Sequence, residues 1–456
     1  MTQAEATFSI STHFHIINPY NSKFIDFSTA PNNEEAIKIL TFSDMHHGVI
    51  DYTFLDWALN IDISYESLEW FVTKICNSND RQIISTLRTL FLKYKLFFDE
   101  TSNCVKYRFK DVEGQTNSPW YNDFVIGGIA YLGDTFPINL DDLFAQFKIQ
   151  KSALGDPKLK HIAKYNGEDP SRFLDILKSK NVSLLLKSLY NADNVYIHWS
   201  NQNLLFYSLV DIIDSISDHA IYNIHLKNLL YEAAVSDNRI MNLLAKYDYP
   251  NIKEGAILEF SKELKLWFTK MRDDSTIEEY DNWNYLISKI ATVQTQKDLL
   301  FITNNKSLML IDNFVPLYSL RIQIFANSEL YFDECGIVQD NIDGFVDVLC
   351  PDRKNTFEFL NSKNDRLISL SDIIIGMTGA LQAYINTHSI NRIKKDISKL
   401  SNTQRENLRM FFKLRLKSSL YNMYFEHECI IKSSSIKYEL INSLLGIDKK
   451  FIKQHS

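Results

Sequence analysis

The sequence predicts an α/β protein: a mixed sheet split by a long helical insertion, with helical parts at both ends of the chain. Three observations predict it. Apolar runs bounded by polar turns at 124–131, 194–199 and 330–332 read as buried strands. The stretch between the second and third, 203–297, carries its apolar residues at helical spacing. The resulting order, strands, helices, strands and closing helices, shows no internal repeat and fits one layered α/β unit with an insertion.

Taken in order, residues 64–98 carry a helical apolar pattern: Leu68, Phe71, Val72 and Ile75, then Ile83, Leu87, Leu90, Phe91 and Tyr94. A turn-rich stretch at 99–103 follows, then 105–109, which alternates as a half-exposed strand, and a polar hairpin loop at 114–122 around Pro119. The run 124–131 is a near-continuous apolar strand, 140–151 opens a helix, and 194–199 is a strand. Short strands or helices are expected at 299–302, 308–311, 317–324, 330–332 and 344–349, a strong helix at 367–388, and a helical tail over 390–452. The expected parts are 1–103 (mostly helical), 104–200 (first half of the sheet), 201–297 (insertion), 298–390 (second half) and 391–456 (basic tail).

Composition narrows the class. At 45% hydrophobic residues, the 456-residue chain has ample material for a core. A net charge of −7 argues against coating nucleic acid through overall charge, though not against a local basic groove. None of the five cysteines forms a C-x-x-C pair, which argues against a zinc site or a disulfide framework. No charged start followed by an apolar stretch marks a signal peptide, and no run of 18 apolar residues occurs, so the expected location is cytoplasmic, with no membrane partner.

The chemical signal lies near the C-terminal end. Asp372 sits in the otherwise apolar run 367–377, and a carboxylate in such a place needs a cation, a metal or a hydrogen-bonding network. A second acidic group, Glu329, Asp333 and Glu334, lies on a strand. Acids at a strand end and on an apolar helix suggest a divalent-metal site.

Residues 109–114, ending in Asp111-Val-Glu-Gly114, followed by the strand at 124–129, resemble the opening of the domain of unknown function 3800 family, a strand ending in Asp-Glu-Ser-Gly; Val112 and Glu113 depart from it. Asp156-Pro-Lys158 resembles that family's Glu-x-Lys element, and 328–334 its later strand ending in Asp-Glu. Ser362-Lys363 followed by Ile368-Ser-Leu-Ser-Asp372 resembles its closing motif, with Ser369 where Gln is usual. The resemblance covers roughly 105–200 and 300–390. It implies an RNase H-like fold with an acidic metal centre, in a family with members in anti-phage and mobile-element contexts.

On that basis Asp111, Asp333 and Asp372 are the expected ligands of Mg²⁺ or Mn²⁺, with Asp156 or Glu334 completing the site for two-metal cleavage of DNA or RNA. Convergence of the first three is the geometric test of an enzyme. Each has a plainer reading: a helix cap or salt bridge for Asp372, a turn for Asp111 in Asp-x-x-Gly, for Asp333 at a strand end and for Asp156 in Gly-Asp-Pro. Lys158 and Lys363 are expected at the scissile phosphate or holding the carboxylates apart, Ser362 as a cap or ligand-binding hydroxyl, and Lys160 as a solvated side chain.

The tail between Arg392 and Lys417 holds nine basic residues against Asp396 and Glu406, which suits a phosphate-tracking helix pair, or a face that meets the acidic remainder of the molecule or a second subunit. Asp44-Met-His46-His47 resembles a first metallophosphoesterase motif, but the further motifs of those enzymes are missing, so a loop is expected. The tryptophans read as core anchors; His198-Trp199, at a strand end, is the best candidate for base stacking. The rival to a nuclease is a non-catalytic protein that binds a partner chain.

Overall fold

The computed structural model describes residues 15–17, 24–26, 29–45, 52–76, 81–101, 106–167, 169–217, 220–291, 305–349 and 355–447. Residues 1–14, Cys104, Val105, 299–302, Cys350, His46 and His47 lie outside the described residues.

The chain is mixed α/β around a six-stranded sheet. Its strands are β1 (Tyr94–Glu100), β2 (Asp123–Leu132), β3 (Val195–Asn203), β4 (Glu329–Asp333), β5 (Thr356–Leu360) and β6 (Glu426–Cys429), in the spatial order β6-β3-β2-β1-β4-β5. β1, β2 and β3 form an antiparallel meander, while β4 and β5 run parallel to β1, and β6 parallel to β3. The parallel additions require crossovers, which here are helical.

Side chains alternate across the sheet and give it two buried faces. Tyr94, Leu96 and Phe98 point to the layer formed by helices Val315–Ile324 and Gly336–Leu349. Phe97, Val125, Ile129 and Ile197 point to the other layer, where helices Lys180–Asn191, Arg366–Thr387 and Asn402–Tyr421 pack. The insertion, from Leu204–Ile216 to Ile277–Ile290, builds a core of its own around Leu209, Leu230, Phe260 and Trp283. A further cluster around Phe54, Phe71 and Leu87 holds the N-terminal helices together. The Arg366–Thr387 helix is long and apolar enough to cross a membrane, but 83% of its apolar window is buried in the fold.

Three expectations change. The helical reading of 64–98 holds for Tyr65–Trp70 and Arg81–Phe91, but Tyr94–Glu100 is the strand β1, so the sheet begins inside the part expected to be helical. Because β1 is buried on both faces, its apolar residues run on without alternation from the preceding helical pattern. The stretch expected as the opening strand contributes only Tyr107–Arg108, paired with Met309–Ile311 in a separate two-stranded ribbon. The tail is not wholly helical: Glu-His-Glu-Cys forms β6, an edge strand whose polar sequence carries no apolar alternation.

Candidate metal centre

β1 and β4 are parallel neighbours, so their C-terminal ends lie at the same edge of the sheet. Phe97 and Tyr331 pair in register and stack with ring centroids 4.7 Å apart. Two residues later on each strand, and therefore on the same face, come Asp99 and Asp333. The Arg366–Thr387 helix crosses this face. Asp365 caps its start by accepting the N–H groups of Leu367 and Ile368 at 2.8 and 3.0 Å. Ser371 pins it to the sheet, its hydroxyl donating to the Phe97 carbonyl at 3.1 Å and accepting the Ile129 N–H at 3.2 Å. Gly128 makes this approach possible, since a Cβ there would lie 2.3 Å from the Ser371 hydroxyl. The next residue on the helix is Asp372.

Asp99, Glu100, Lys158, Asp333, Glu334 and Asp372 line one cavity of about 630 Å³. Lys158 stands among the carboxylates, with its Nζ 3.6 Å from Asp372 Oδ1, 3.7 Å from Asp156 Oδ1 and 3.3 Å from Ser362 Oγ. The other groups are held from outside. Asp156 Oδ1 accepts the Ser369 hydroxyl at 2.8 Å, Asp333 Oδ1 the Ser362 N–H at 3.2 Å, Glu334 the Asn361 amide at 2.8 Å and Glu100 the Tyr318 hydroxyl at 3.1 Å.

Asp99 differs from the rest. It is only 6% exposed; one oxygen accepts the Glu100 N–H at 2.7 Å and the other, Oδ2, has no partner. Burial, then the neighbouring charges of Asp372, Glu100 and Asp333, push its carboxyl well above the usual carboxylate range. Burial also raises Asp372 and Asp333, with Lys158 opposing the rise in both. For Lys158 burial favours the neutral amine, but the surrounding carboxylates outweigh it and hold the group above its ordinary value.

Among the sequence-predicted site residues, the fold brings together Asp156, Lys158, Asp333, Glu334 and Asp372. Lys363 is exposed on the adjoining loop, lining a neighbouring cavity that it shares with Asp156. Asp111 does not join them. It caps its own turn, its Oδ1 accepting the N–H groups of Glu113 and Gln115 at 3.0 and 3.2 Å, ahead of Gly114 at φ 76°. The expected convergence of Asp111 with Asp333 and Asp372 therefore fails; Asp99 takes that place, with Glu100 beside it. One signal could have found them: Phe98-Asp-Glu100 and Phe332-Asp-Glu334 repeat the same tripeptide at the ends of paired strands.

The basic tail is divided. Arg405 donates to the Ile397 carbonyl, Arg409 to that of Leu445 and Lys417 to those of Tyr190 and Ala192. Arg415 is buried between Glu428 (3.1 Å) and the Trp199 ring (4.0 Å), which makes Trp199 a core anchor rather than a stacking platform. Lys394, Lys395 and Lys399 are exposed, but on a segment beyond the far end of the Arg366–Thr387 helix. That end is roughly 22 Å along the axis from Asp372. Asp44 lies in the Asn33–Met45 helix. Ser362 both receives the Lys158 ammonium and donates its N–H to Asp333.

Among the described residues, no group of three or more His, Cys, Asp and Glu side chains is arranged to hold a metal ion. Lys158 supplies the positive charge at the centre. No family model matches the chain, and neither the curated proteins nor the solved structures yield a match.

Proposed function

We propose that this chain is a metal-dependent phosphodiesterase acting on nucleic acid, on an RNase H-like sheet. The observation that carries the reading is the meeting of Asp99, Asp333 and Asp372 at one cavity, from a central strand, its parallel neighbour and the closing helix. This is the arrangement that the sequence resemblance implies, with Asp99-Glu-Thr101 as the strand-end opening in place of 109–114. The donor type suits a hard divalent cation, since the candidate atoms are carboxylate oxygens and Asp99 Oδ2 is buried without a partner. The carboxylates are not gathered around one point while the Lys158 ammonium stands among them, so a metal would take that ammonium's place.

Asp99, Asp333 and Asp372 would hold Mg²⁺ or Mn²⁺, with Glu334 and Asp156 at the margin. Such ions, when bound, polarise a phosphoryl oxygen and acidify a water. The chain's own residues do the rest. Ser371, Ser362 and Asn361 fix the elements that carry the carboxylates. Lys158 keeps its proton and neutralises the cluster while it is empty, and its flexible stem lets the ammonium turn to a phosphate oxygen when substrate arrives.

One observation favours a second reading, a non-catalytic interaction protein: the Lys158 ammonium already partners Asp156 and Asp372, as a structural salt bridge does. Incubating labelled DNA and RNA with Mn²⁺ or Mg²⁺ separates the two. Cleavage that EDTA stops and Asp372→Asn abolishes is the expected result. A folded Asp372→Asn protein with full activity, or a wild type inert on both polymers with either metal, would discard the phosphodiesterase.

A further inference from the structure

The carboxylate cavity does not stand alone. It adjoins a second cavity of about 430 Å³, with which it shares the walls Lys160 and Tyr165, and the second adjoins a third of about 900 Å³, with which it shares Lys160 and Lys164. Together they form a trough lined mostly by residues 148–166, with Lys363 also lining the third cavity.

Its walls carry four lysines. Lys148, Lys160, Lys164 and Lys363 are exposed, and none has a carboxylate within ion-pair distance among the described residues. Exposed lysines without an ion pair among the described residues occur elsewhere too, Lys93, Lys187 and Lys265 among them; what sets these four apart is that they line adjoining cavities next to the carboxylates. The acids that do line the second and third cavities are occupied. Asp175 pairs with Lys178 at 2.6 Å, and Asp156 accepts Ser369 and faces Lys158. A chain of net −7 thus gathers four cations, unmatched among the described residues, along adjoining cavities that begin at its carboxylates.

We infer that this trough is the track for a nucleic-acid backbone, with Lys160, Lys164, Lys148 and Lys363 contacting successive phosphates that lead away from the acidic cluster. The inference rests on the phosphodiesterase reading of that cluster. A lone phosphate would engage one or two of these lysines; cations spread over successive cavities match a repeating polyanion. Half-buried Tyr165, at the junction of the first two cavities, offers a ring on which a base can stack beside the site. The exposed tail lysines lie at the other end of the closing helix and take no part.

Fluorescence anisotropy on the full chain in EDTA tests this without hydrolysis, using a short labelled oligothymidylate and, separately, a duplex of equal length over a range of KCl. Replacing Lys148, Lys160 and Lys164 together by Glu should lower the single-strand log–log salt slope by roughly 2, near 0.7 for each lost contact. The triple change to Gln should act in the same direction, and covers the case in which the Glu form folds poorly. Replacing Lys394, Lys395 and Lys399 by Glu should leave the slope alone. Lysine-dependent binding of either probe supports the trough, and the probe that binds tells single strand from duplex. No binding by the wild type, an unchanged slope in the trough variants, or an equal loss in the tail variant overturns it. Binding by the wild type in EDTA without cleavage in either metal sinks only the phosphodiesterase, and cleavage with an unchanged slope sinks only the track.

Discussion

Asp99 is the residue on which the site turns, and its chemistry has a pH signature. Its folded-state pKa is raised by burial and by three neighbouring carboxylates. A raised acid contributes its stability when protonated: the contribution is complete below the unfolded value near 3.9 and is lost as the pH climbs through the folded value. Once the pH exceeds the unfolded value, the metal-free wild type therefore loses stability relative to a variant without this carboxyl, and the loss is complete above the folded value. Asp99→Asn should melt higher than the wild type there, and the gap should narrow on acidification, as a series of melting curves across pH would show; a gap that widens on acidification is the contrary result. Asp111→Asn should behave differently. It touches only its own turn, so it should leave cleavage unchanged and cost at most about 1 kcal/mol in denaturant unfolding. Loss of activity in that variant would restore Asp111 to the site. Asp333 and Asp372 were legible in the sequence because a carboxylate in an apolar run is an anomaly that chemistry must explain. Asp99 was hidden by its neighbours: Leu90, Phe91 and Tyr94 extend a helical period into the strand, while Asp-x-x-Gly at 111–114 offered a decoy with ordinary turn chemistry.

At the scale of elements, the contact that sets the geometry lies between a strand and a helix. Gly128 on β2 lets the Arg366–Thr387 helix sit close enough for Ser371 to bridge β1 and β2. Gly128→Ala would force a methyl to within 2.4 Å of both the Phe97 carbonyl and the Ser371 side chain, and neither the sheet nor the helix can yield without moving the other. A loss of about 2–4 kcal/mol is expected in denaturant unfolding, together with lost activity because Asp372 is displaced. Ser371→Ala removes the bridge without adding volume and should cost about 1–2 kcal/mol, with partial activity retained. If Gly128→Ala proves as stable and active as the wild type, the helix is not seated on this strand as described. The strong helix at 367–388 and the strands at 124–131 and 194–199 were legible because long periodic or apolar runs leave few alternatives. β6 was not, because Glu426, His427, Glu428 and Cys429 form a polar edge whose place is decided by pairing with β3 and by Arg415, not by any local pattern.

For the whole molecule, the acidic centre draws on residues far apart in sequence, from Asp99 to Asp372, and the intervening insertion folds around a core of its own. The N-terminal helices are tied to the end of the Asn402–Tyr421 helix: Arg81 donates to the Ser419 carbonyl and Arg88 to that of Tyr421, while Thr89 accepts the Asn422 amide at 2.9 Å. Melting therefore reports on a site that only the assembled sheet creates. An empty cluster of carboxylates repels itself, and Lys158, within 4 Å of Asp372 and Asp156, relieves this only in part. A cation that binds the folded chain and not the unfolded one stabilises by mass action, about 2.7 kcal/mol at a hundredfold excess over its dissociation constant. Mn²⁺ or Mg²⁺ should thus raise the wild-type melting temperature, and EDTA should reverse the rise. Asp99→Asn should melt at or above the wild type in EDTA and lose most of the response to metal. A salt-bridged, non-catalytic cluster forecasts otherwise: metal changes neither curve, and removing Asp99 gives the same shift with and without it. Four curves, two proteins each with and without Mn²⁺, decide between a centre built to be filled and one already neutralised by its own lysine.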